Sequence, residues 1–439
     1  MASELSPEEE DIIDESPEIS VGESPVWVQA LGTAFPALGN RNYQLYFSGQ
    51  LVSLIGTWLQ IVAQGWLVLK LTNSALLIGL VAAMATLPSL LFTLHGGVIV
   101  DRFPKRRILI FTQVSAMVLA FILGVLTLLN FINVWEISIL AFLLGAVNAL
   151  DAPARQAFVP EMVGVEQLPS AIALNSAAFN MARIIGPGVA GLLIATVGTG
   201  GAFMLNGISY IAVIVALFQM RVTEVSHPQK SNALQAIREG FVYSFTHPII
   251  RMLIIFAGVG SVFGWSYTTD LPLIAQNEFH LGASGLGYMY AATGIGSLLS
   301  AFLIAFFSKR FRPMVFIGGG SLIFAVSIIL FSFTHSLKLA LPLLAMSGLG
   351  LLGQFAMMNT RIQSLVKPGL RGRVMSIYVF MFVGLTPLGN FEVGWVSEKF
   401  GTMAAIRWNA VVVILFALYV ISQRNKMRAS YKEYSEGGN

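Results

Sequence analysis

The sequence predicts an all-α polytopic membrane protein: twelve transmembrane helices in two pseudo-symmetric six-helix bundles. Three observations carry this. The 439 residues are 56% hydrophobic and only 11% charged, with a mean hydropathy of +0.75, where soluble domains carry about a quarter charged residues. Twelve segments supply the roughly 20 mostly apolar residues that a spanning helix needs. Lysine and arginine are confined almost wholly to one set of the short loops between those segments.

The spans are expected near 43–69, 76–100, 108–130, 134–152, 169–197, 201–220, 249–275, 284–307, 314–334, 337–358, 372–396 and 402–423. Residues 1–40, which include the acidic run Glu8-Glu9-Glu10-Asp11, read as a disordered tail, too long to be a cleavable signal segment. Residues 41–220 form the first bundle, 221–248 a linker, 249–424 the second bundle and 425–439 a short tail. With an even number of spans, Arg102, Lys105, Arg106, Arg107, Lys309, Arg310, Arg312, Arg361, Lys367, Arg371 and Arg373 share one side with both termini. Only Lys70, Lys338, Lys399 and Arg407 lie opposite. The positive-inside rule therefore places both termini in the cytoplasm of a cell whose inner membrane holds the chain. The same distribution makes the pI near 9.2 a topology signal rather than a sign of nucleic-acid binding.

In the linker, Leu234, Ile237, Phe241 and Phe245 fall on one helical face, with Gln235, Arg238 and Glu239 elsewhere. This is the pattern of an amphipathic helix lying on the membrane surface, whose role is a strap between the halves or, alternatively, a regulatory partner site. The halves repeat weakly: at an offset of 208, Gly79, Ala83, Ser89, Arg102 and Phe103 meet Gly287, Ala291, Ser297, Arg310 and Phe311. Parallel six-helix repeats around a site near midplane are a recurrent plan of secondary transporters.

Between spans 2 and 3 stands Gly97-Val98-Ile99-Val100-Asp101-Arg102-Phe103-Pro104-Lys105-Arg106-Arg107. Asp101 ends span 2 where a carboxylate can accept from the free N–H groups of another helix's first turn and meet its positive dipole end. The start of span 11, Gly369 to Val374, is the candidate partner. Arg102 and Arg106 are expected to pair with Asp151, read as capping span 4 before Pro153. Gly97, Asp101, Arg102, Arg106 and Asp151 together form a cytoplasmic charge latch whose loosening favours an inward-open state. The alternative is that the basic residues fix topology alone. In the second half Lys309 replaces the acid, so a symmetric latch is not expected there.

This elbow resembles the signature loop between helices 2 and 3 of the major facilitator superfamily, departing from it at Pro104, where glycine is usual. The stretches Arg41 to Trp58, Asn148 to Gln156 and Ala171 to Ser176 resemble the bacterial branch of enterobactin and drug exporters, and the likeness runs over residues 40–425. It implies the major facilitator fold, alternating access, export of a drug-like or siderophore-like solute, and proton antiport with no cofactor. It also supports the span 11 partner for Asp101. A lipid or lysophospholipid flippase on the same scaffold is the other reading.

Span 5 carries Gly186, Pro187, Gly188 and Gly191, which resemble the Gly-Pro helix 5 motif of proton-driven exporters. Close packing explains the glycines; a coupling hinge at Gly186, Pro187 and Gly191 is the alternative. Arg183 lies roughly 20 Å along this span from Pro169. A charge at that depth needs a partner or a wet cavity, and the candidates are a structural pair with Glu136, an anionic or polar substrate group, or a proton response. Gln60, Gln64, Asn148, Asn175, Asn180, Asn359 and Gln363 are candidate cavity amides, with Trp58 and Trp66 flanking the two glutamines. Asp270 and Glu392 are candidate gate or proton sites near the outer surface, where ionisation is cheap, and Pro272 is expected to break the outer end of span 7.

No enzyme is predicted. His95 is the only histidine inside a span and no second ligand stands near it, so no metal site is expected, and no phosphate loop is present. The absence of cysteine removes disulfides and thiol sites. The expected partners are a small amphipathic solute, protons and the lipid bilayer, with the monomer as the working unit.

Overall fold

The computed structural model describes residues 35–221, 233–308 and 310–423, with the side chains of 93–99, 101, 233–237 and 368 outside that description. Helix α1 spans Arg41–Thr72, α2 Ala75–Arg102 and α3 Lys105–Leu128. Helical hydrogen bonding then runs from Val134 to Gln219, but 86 residues at 1.5 Å each would extend several bilayer thicknesses. The run is broken where Gly164 and Gly198 adopt φ of 72° and 73°, a region open to glycine at little steric cost. It therefore divides into α4 (134–163), α5 (165–197) and α6 (199–219). The short amphipathic α7 is Ala233–Thr246, followed by α8 Pro248–Glu278, α9 Ala283–Phe307, α10 Val315–Phe331, α11 Leu337–Leu365, α12 Arg371–Phe400 and α13 Thr402–Ser422. With the long run divided, α1–α6 and α8–α13 are the twelve spans.

Apolar residues face outward as well as inward. Phe111, Ile139, Leu192, Phe306 and Leu415 are exposed, which suits lipid and would not suit water.

Four expectations change. The disordered tail ends sooner than residue 40: Pro36–Gly39 forms a 3₁₀ turn, the Ala37 N–H donates to Ser170 Oγ at 3.3 Å, and Asn40 Nδ2 donates to the Met162 carbonyl at 2.7 Å. Residues 1–34, the acidic run among them, lie outside the description, as do 424–439. Helix α4 does not stop at Asp151. It continues through Pro153 and Pro160, so Asp151 is an interior residue rather than a cap. Pro272 does not end α8, where π-helical turns at Gly260–Trp265 and Ile274–Glu278 flank it and absorb the lost backbone donor. At Gly186, Pro187 and Gly191 the backbone keeps helical dihedrals, with the breaks at Gly164 and Gly198 instead.

Helix α7 is helical as expected from Ala233 onward, and residues 222–232 before it lie outside the description. It packs on α12: a Cβ built on Gly240 would lie 2.8 Å from the Arg373 carbonyl oxygen, and Arg373 and Glu239 form an ion pair. His247 then caps α8. Burial pushes its imidazole pKa down, favouring the neutral ring whose Nδ1 faces the Ile250 N–H at 3.5 Å.

Candidate functional site

The bundles meet along two helix pairs, α2 with α12 and α5 with α9, and the closest approaches lie toward the face opposite the termini. A Cβ built on Gly394 would lie 2.8 Å from both the Ala75 carbonyl oxygen and Gly79 Cα. One on Gly191 would lie 2.7 Å from the Ala283 carbonyl oxygen. Such distances admit no side chain, so glycine is what allows the bundles to touch here. Glu398 seals the same face. Its Oε2 accepts from Ser74 Oγ at 2.9 Å and from the Leu76 N–H at 3.0 Å, at the exposed first turn of α2. Deeper in, Asn390 Nδ2 donates to the Ala82 carbonyl at 3.2 Å, while its Oδ1 accepts from Thr269 at 3.0 Å.

Glu398 performs on this face the task the sequence assigned to Asp101 on the other. Neutralising it removes an anion from a helix N-terminus, worth about 0.3–1 kcal/mol at an exposed site. Glu398→Gln is therefore expected to raise the open population of this face by up to about fivefold. Labelling of a cavity cysteine from that side would measure it, and an unchanged rate would show that the contact holds nothing shut.

Beneath this seal lies a cavity of about 300 Å³ between the bundles. Gln60, Gln64 and Asn148 line it, joined by Asn206, Tyr210, Trp265, Tyr290, Thr268 and Asn390. Gln60 is buried and accepts from Asn206 Nδ2 at 2.5 Å, so α1 and α6 share an interhelical amide bond. Sequence reasoning missed Asn206 and Tyr210. The one available signal was their spacing of four residues, which puts both on one face of α6. Asn175 lies elsewhere, accepting from Tyr43 OH at 3.0 Å, and Asn180 donates to the Ser176 carbonyl at 2.8 Å. Asn359 and Gln363 bond to each other at 2.5 Å on α11.

Arg183 does not pair with Glu136. Glu136 is the third residue of α4, where it closes a capping box with Asn133 at that helix's first turn, so the two are not at one depth. The Arg183 guanidinium instead stacks on the Trp265 ring of the other bundle, 4.2 Å from its centroid. Among the described residues no ion pair to it is present. Placing an arginine at mid-membrane costs about 2.5–3.5 kcal/mol on insertion scales, and a cation–π contact returns about 0.5–2 kcal/mol. The charge is left undercompensated.

The latch expected on the terminal face is rearranged. Asp151 is 1% exposed and belongs to an internal network: it pairs with Arg155, and its Oδ1 accepts from Thr112 Oγ1 at 2.7 Å and Gln113 Nε2 at 2.9 Å. It pairs with neither Arg102 nor Arg106. Arg106 donates to the Leu217 carbonyl at 2.8 Å and the Phe218 carbonyl at 3.3 Å, closing the C-terminal end of α6 where a cation suits the dipole. Arg102 is exposed, and Lys105 pairs with Glu161 at 3.3 Å. The side chain of Asp101 and the surroundings of Gly97 lie outside the description, as does His95.

Gly186 packs against Trp58 of α1, and Gly191 against α9. The glycines of α5 thus serve close approach on two sides. Asp270 is not near the surface but fully buried: Ser397 Oγ donates to its Oδ2, while its Oδ1 has no partner. Glu392 is half-buried beside it and accepts from Asn409 Nδ2 at 3.1 Å. Among the described residues no group of three or more His, Cys, Asp or Glu is placed to hold a metal ion.

Residues 32–436 match the transmembrane secretion effector family. The chain is 26% identical over 390 residues to the staphyloferrin A transporter of Staphylococcus aureus, covering 87% of this chain and 97% of that one. It is 27% identical over 384 residues to the multidrug efflux pump Tap of Mycolicibacterium fortuitum, covering 83% and 91%. Among solved structures, a bacterial homologue of the human lysosomal transporter Spinster, inward-facing and unoccupied, aligns with a TM-score of 0.73 at 14% identity over 88% of this chain and 97% of that one. A D-xylose–proton symporter aligns with a TM-score of 0.66 at 14% identity, over 86% and 96%. Two six-helix bundles around a polar, aromatic-lined cavity thus coincide with a family match over nearly the whole sequence: the chain belongs to the transmembrane secretion effector family of the major facilitator superfamily and is a multi-pass membrane transporter, not an enzyme.

Proposed function

We propose that this transporter exports a small amphipathic solute of the drug or siderophore type across the inner membrane by alternating access, driven by the proton gradient. The observation that carries this is the cavity between the bundles, sealed by α2–α12 and α5–α9 on the face opposite the termini. If the termini are cytoplasmic, as the basic loops favour, the sealed face is the outer one, an arrangement that supports loading of the cavity from the cytoplasm. The names of the relatives, a siderophore transporter and a drug efflux pump, support the solute class. The flippase reading finds no support among them.

Asp270 is the residue best equipped to couple protons. It is a fully buried carboxyl with one oxygen bonded to Ser397 and the other unpartnered, in a span of the second bundle. An intramembrane carboxyl without a fixed cationic partner can take up and release a proton as access alternates. Asp270→Asn is expected to reduce gradient-driven export by about tenfold or more while leaving protein in the membrane. The test is export of a panel of siderophores, dyes and antibiotics from cells with and without the chain, before and after a protonophore. Equal retention in both strains would overturn the export reading. Export that survives the protonophore, or that is unchanged in Asp270→Asn, would overturn the coupling alone.

A further inference from the structure

We infer that Arg183, with the Trp265 ring beneath it, is an anion subsite at the wall of the central cavity, and that the transported solute carries a carboxylate or other oxyanion on an aromatic or apolar frame. This deepens the export reading and rests on it for the word transported.

Position comes first. On α5, Ile172 and Phe179 are exposed within about 40° of Arg183, whereas Met181, Ile185 and Leu192 are exposed on the far side of the helix. At 3.6 residues per turn, Arg183 lies roughly 180–200° around the helix from each of the last three, which turns it to the interior between α1 and α9. The packing agrees: Gly186 meets Trp58 of α1, and Ile184 meets Gly294 of α9, leaving the sector between them to Arg183. Trp265, on which the guanidinium stacks, is itself a lining residue of the cavity.

Charge comes next. Asp151 is committed to Arg155, Glu136 to its helix cap and Glu161 to Lys105, so none of these three acids of the first bundle serves Arg183. In the second bundle, Asp270 and Glu392 are bonded to Ser397 and Asn409. Tyr267, also on α8, bonds with Ser347 and Thr293. The guanidinium, set behind Trp265 rather than among the cavity's own lining residues, presents planar donors suited to an oxyanion, while the polar lining itself is neutral amides, hydroxyls and phenols. An anionic solute would satisfy this undercompensated charge; a cationic solute would meet repulsion from it. The tryptophan face, shared between guanidinium and cavity, offers stacking to the solute's ring system.

The test uses two xanthene dyes with one ring frame and opposite charge, fluorescein and rhodamine 123, bound to the purified full chain and followed by fluorescence polarisation. Fluorescein should bind about tenfold or more tightly than rhodamine 123. Arg183→Gln should erase that preference, Arg183→Lys should keep part of it, and Trp265→Phe should weaken both dyes while preserving the order. No fluorescein preference, failure of both dyes to bind, or a preference that persists in Arg183→Gln protein of unchanged monodispersity would each overturn the subsite. Displacement of fluorescein by added phosphatidylglycerol, but not by excess benzoate, would assign the anion to a lipid headgroup and overturn the solute. Because binding is read without transport, failed export with intact fluorescein binding sinks the export reading and leaves the subsite standing.

Discussion

Gly394→Leu is expected to leave both bundles folded yet nearly abolish transport, by preventing closure of the face opposite the termini. A Cβ at this position would already stand 2.8 Å from the Ala75 carbonyl oxygen and from Gly79 Cα. Both are backbone atoms of α2, which cannot swing aside as a side chain can. Overpacking costs about 1–3 kcal/mol even where side chains can adjust, and a penalty of that size on one state shifts the population roughly 5- to 150-fold. Because the native chain has no cysteine, a single Gln64→Cys substitution reports directly on access to the cavity. In the Gly394→Leu background, a membrane-impermeant maleimide applied from the side opposite the termini should label it rapidly; in the native background it should not. Gly394→Ala should fall between the two. Slow labelling in both substituted chains, with normal transport, would show that α2 and α12 need not touch.

The second large effect is expected at Asp151, and it concerns stability rather than gating. Asp151→Ala removes the acceptor for Thr112 and Gln113 and leaves Arg155 without its ion-pair partner inside the first bundle. Breaking a fully buried pair from one side costs about 3–5 kcal/mol; with the Arg155 side chain 28% exposed, the loss is expected toward the lower end. The melting temperature of the purified chain should fall sharply, while Arg106→Ala, whose partners are carbonyls at the end of α6, should fall much less. The double change Asp151→Ala with Arg155→Ala should recover part of the loss, since no lone charge remains. If Asp151→Ala kept native stability and altered only the transport rate, the residue would be a gate after all.

The contrast between these two sites shows how far sequence reasoning reached. The partner of Asp151 stood four residues away at Arg155, a spacing that places both on one helix face. It was hidden by reading Pro153 as the end of span 4, although helix α4 runs on past it. Glu136 was set at the depth of Arg183 by counting, when its place in the first turn of α4 makes it a cap. The Asp151 error came from a boundary, and one helical turn of error moves a side chain about 5.4 Å along the membrane normal; the start of span 4 at residue 134 was right, so the Glu136 error was one of depth alone. The seal at Glu398 was unreadable for another reason. Its partners Ser74 and Leu76 lie more than 300 positions away, and no local pattern encodes which helix ends will meet.

Composition and the spacing of apolar runs and basic loops pointed to a chain that lies in a membrane, to the number of its crossings and to which loops share a side. Those properties follow from the cost of putting charge or unpaired backbone into hydrocarbon, a cost paid residue by residue and therefore written locally. Only the tertiary structure decided which face is sealed, that Asn206 meets Gln60, and that Arg183 lies on Trp265 rather than beside Glu136. Helices in lipid associate through close packing and scattered polar contacts rather than through burial of an apolar stripe. The pairing of surfaces is thus set by shape between distant segments, and it exists only once the bundles are assembled.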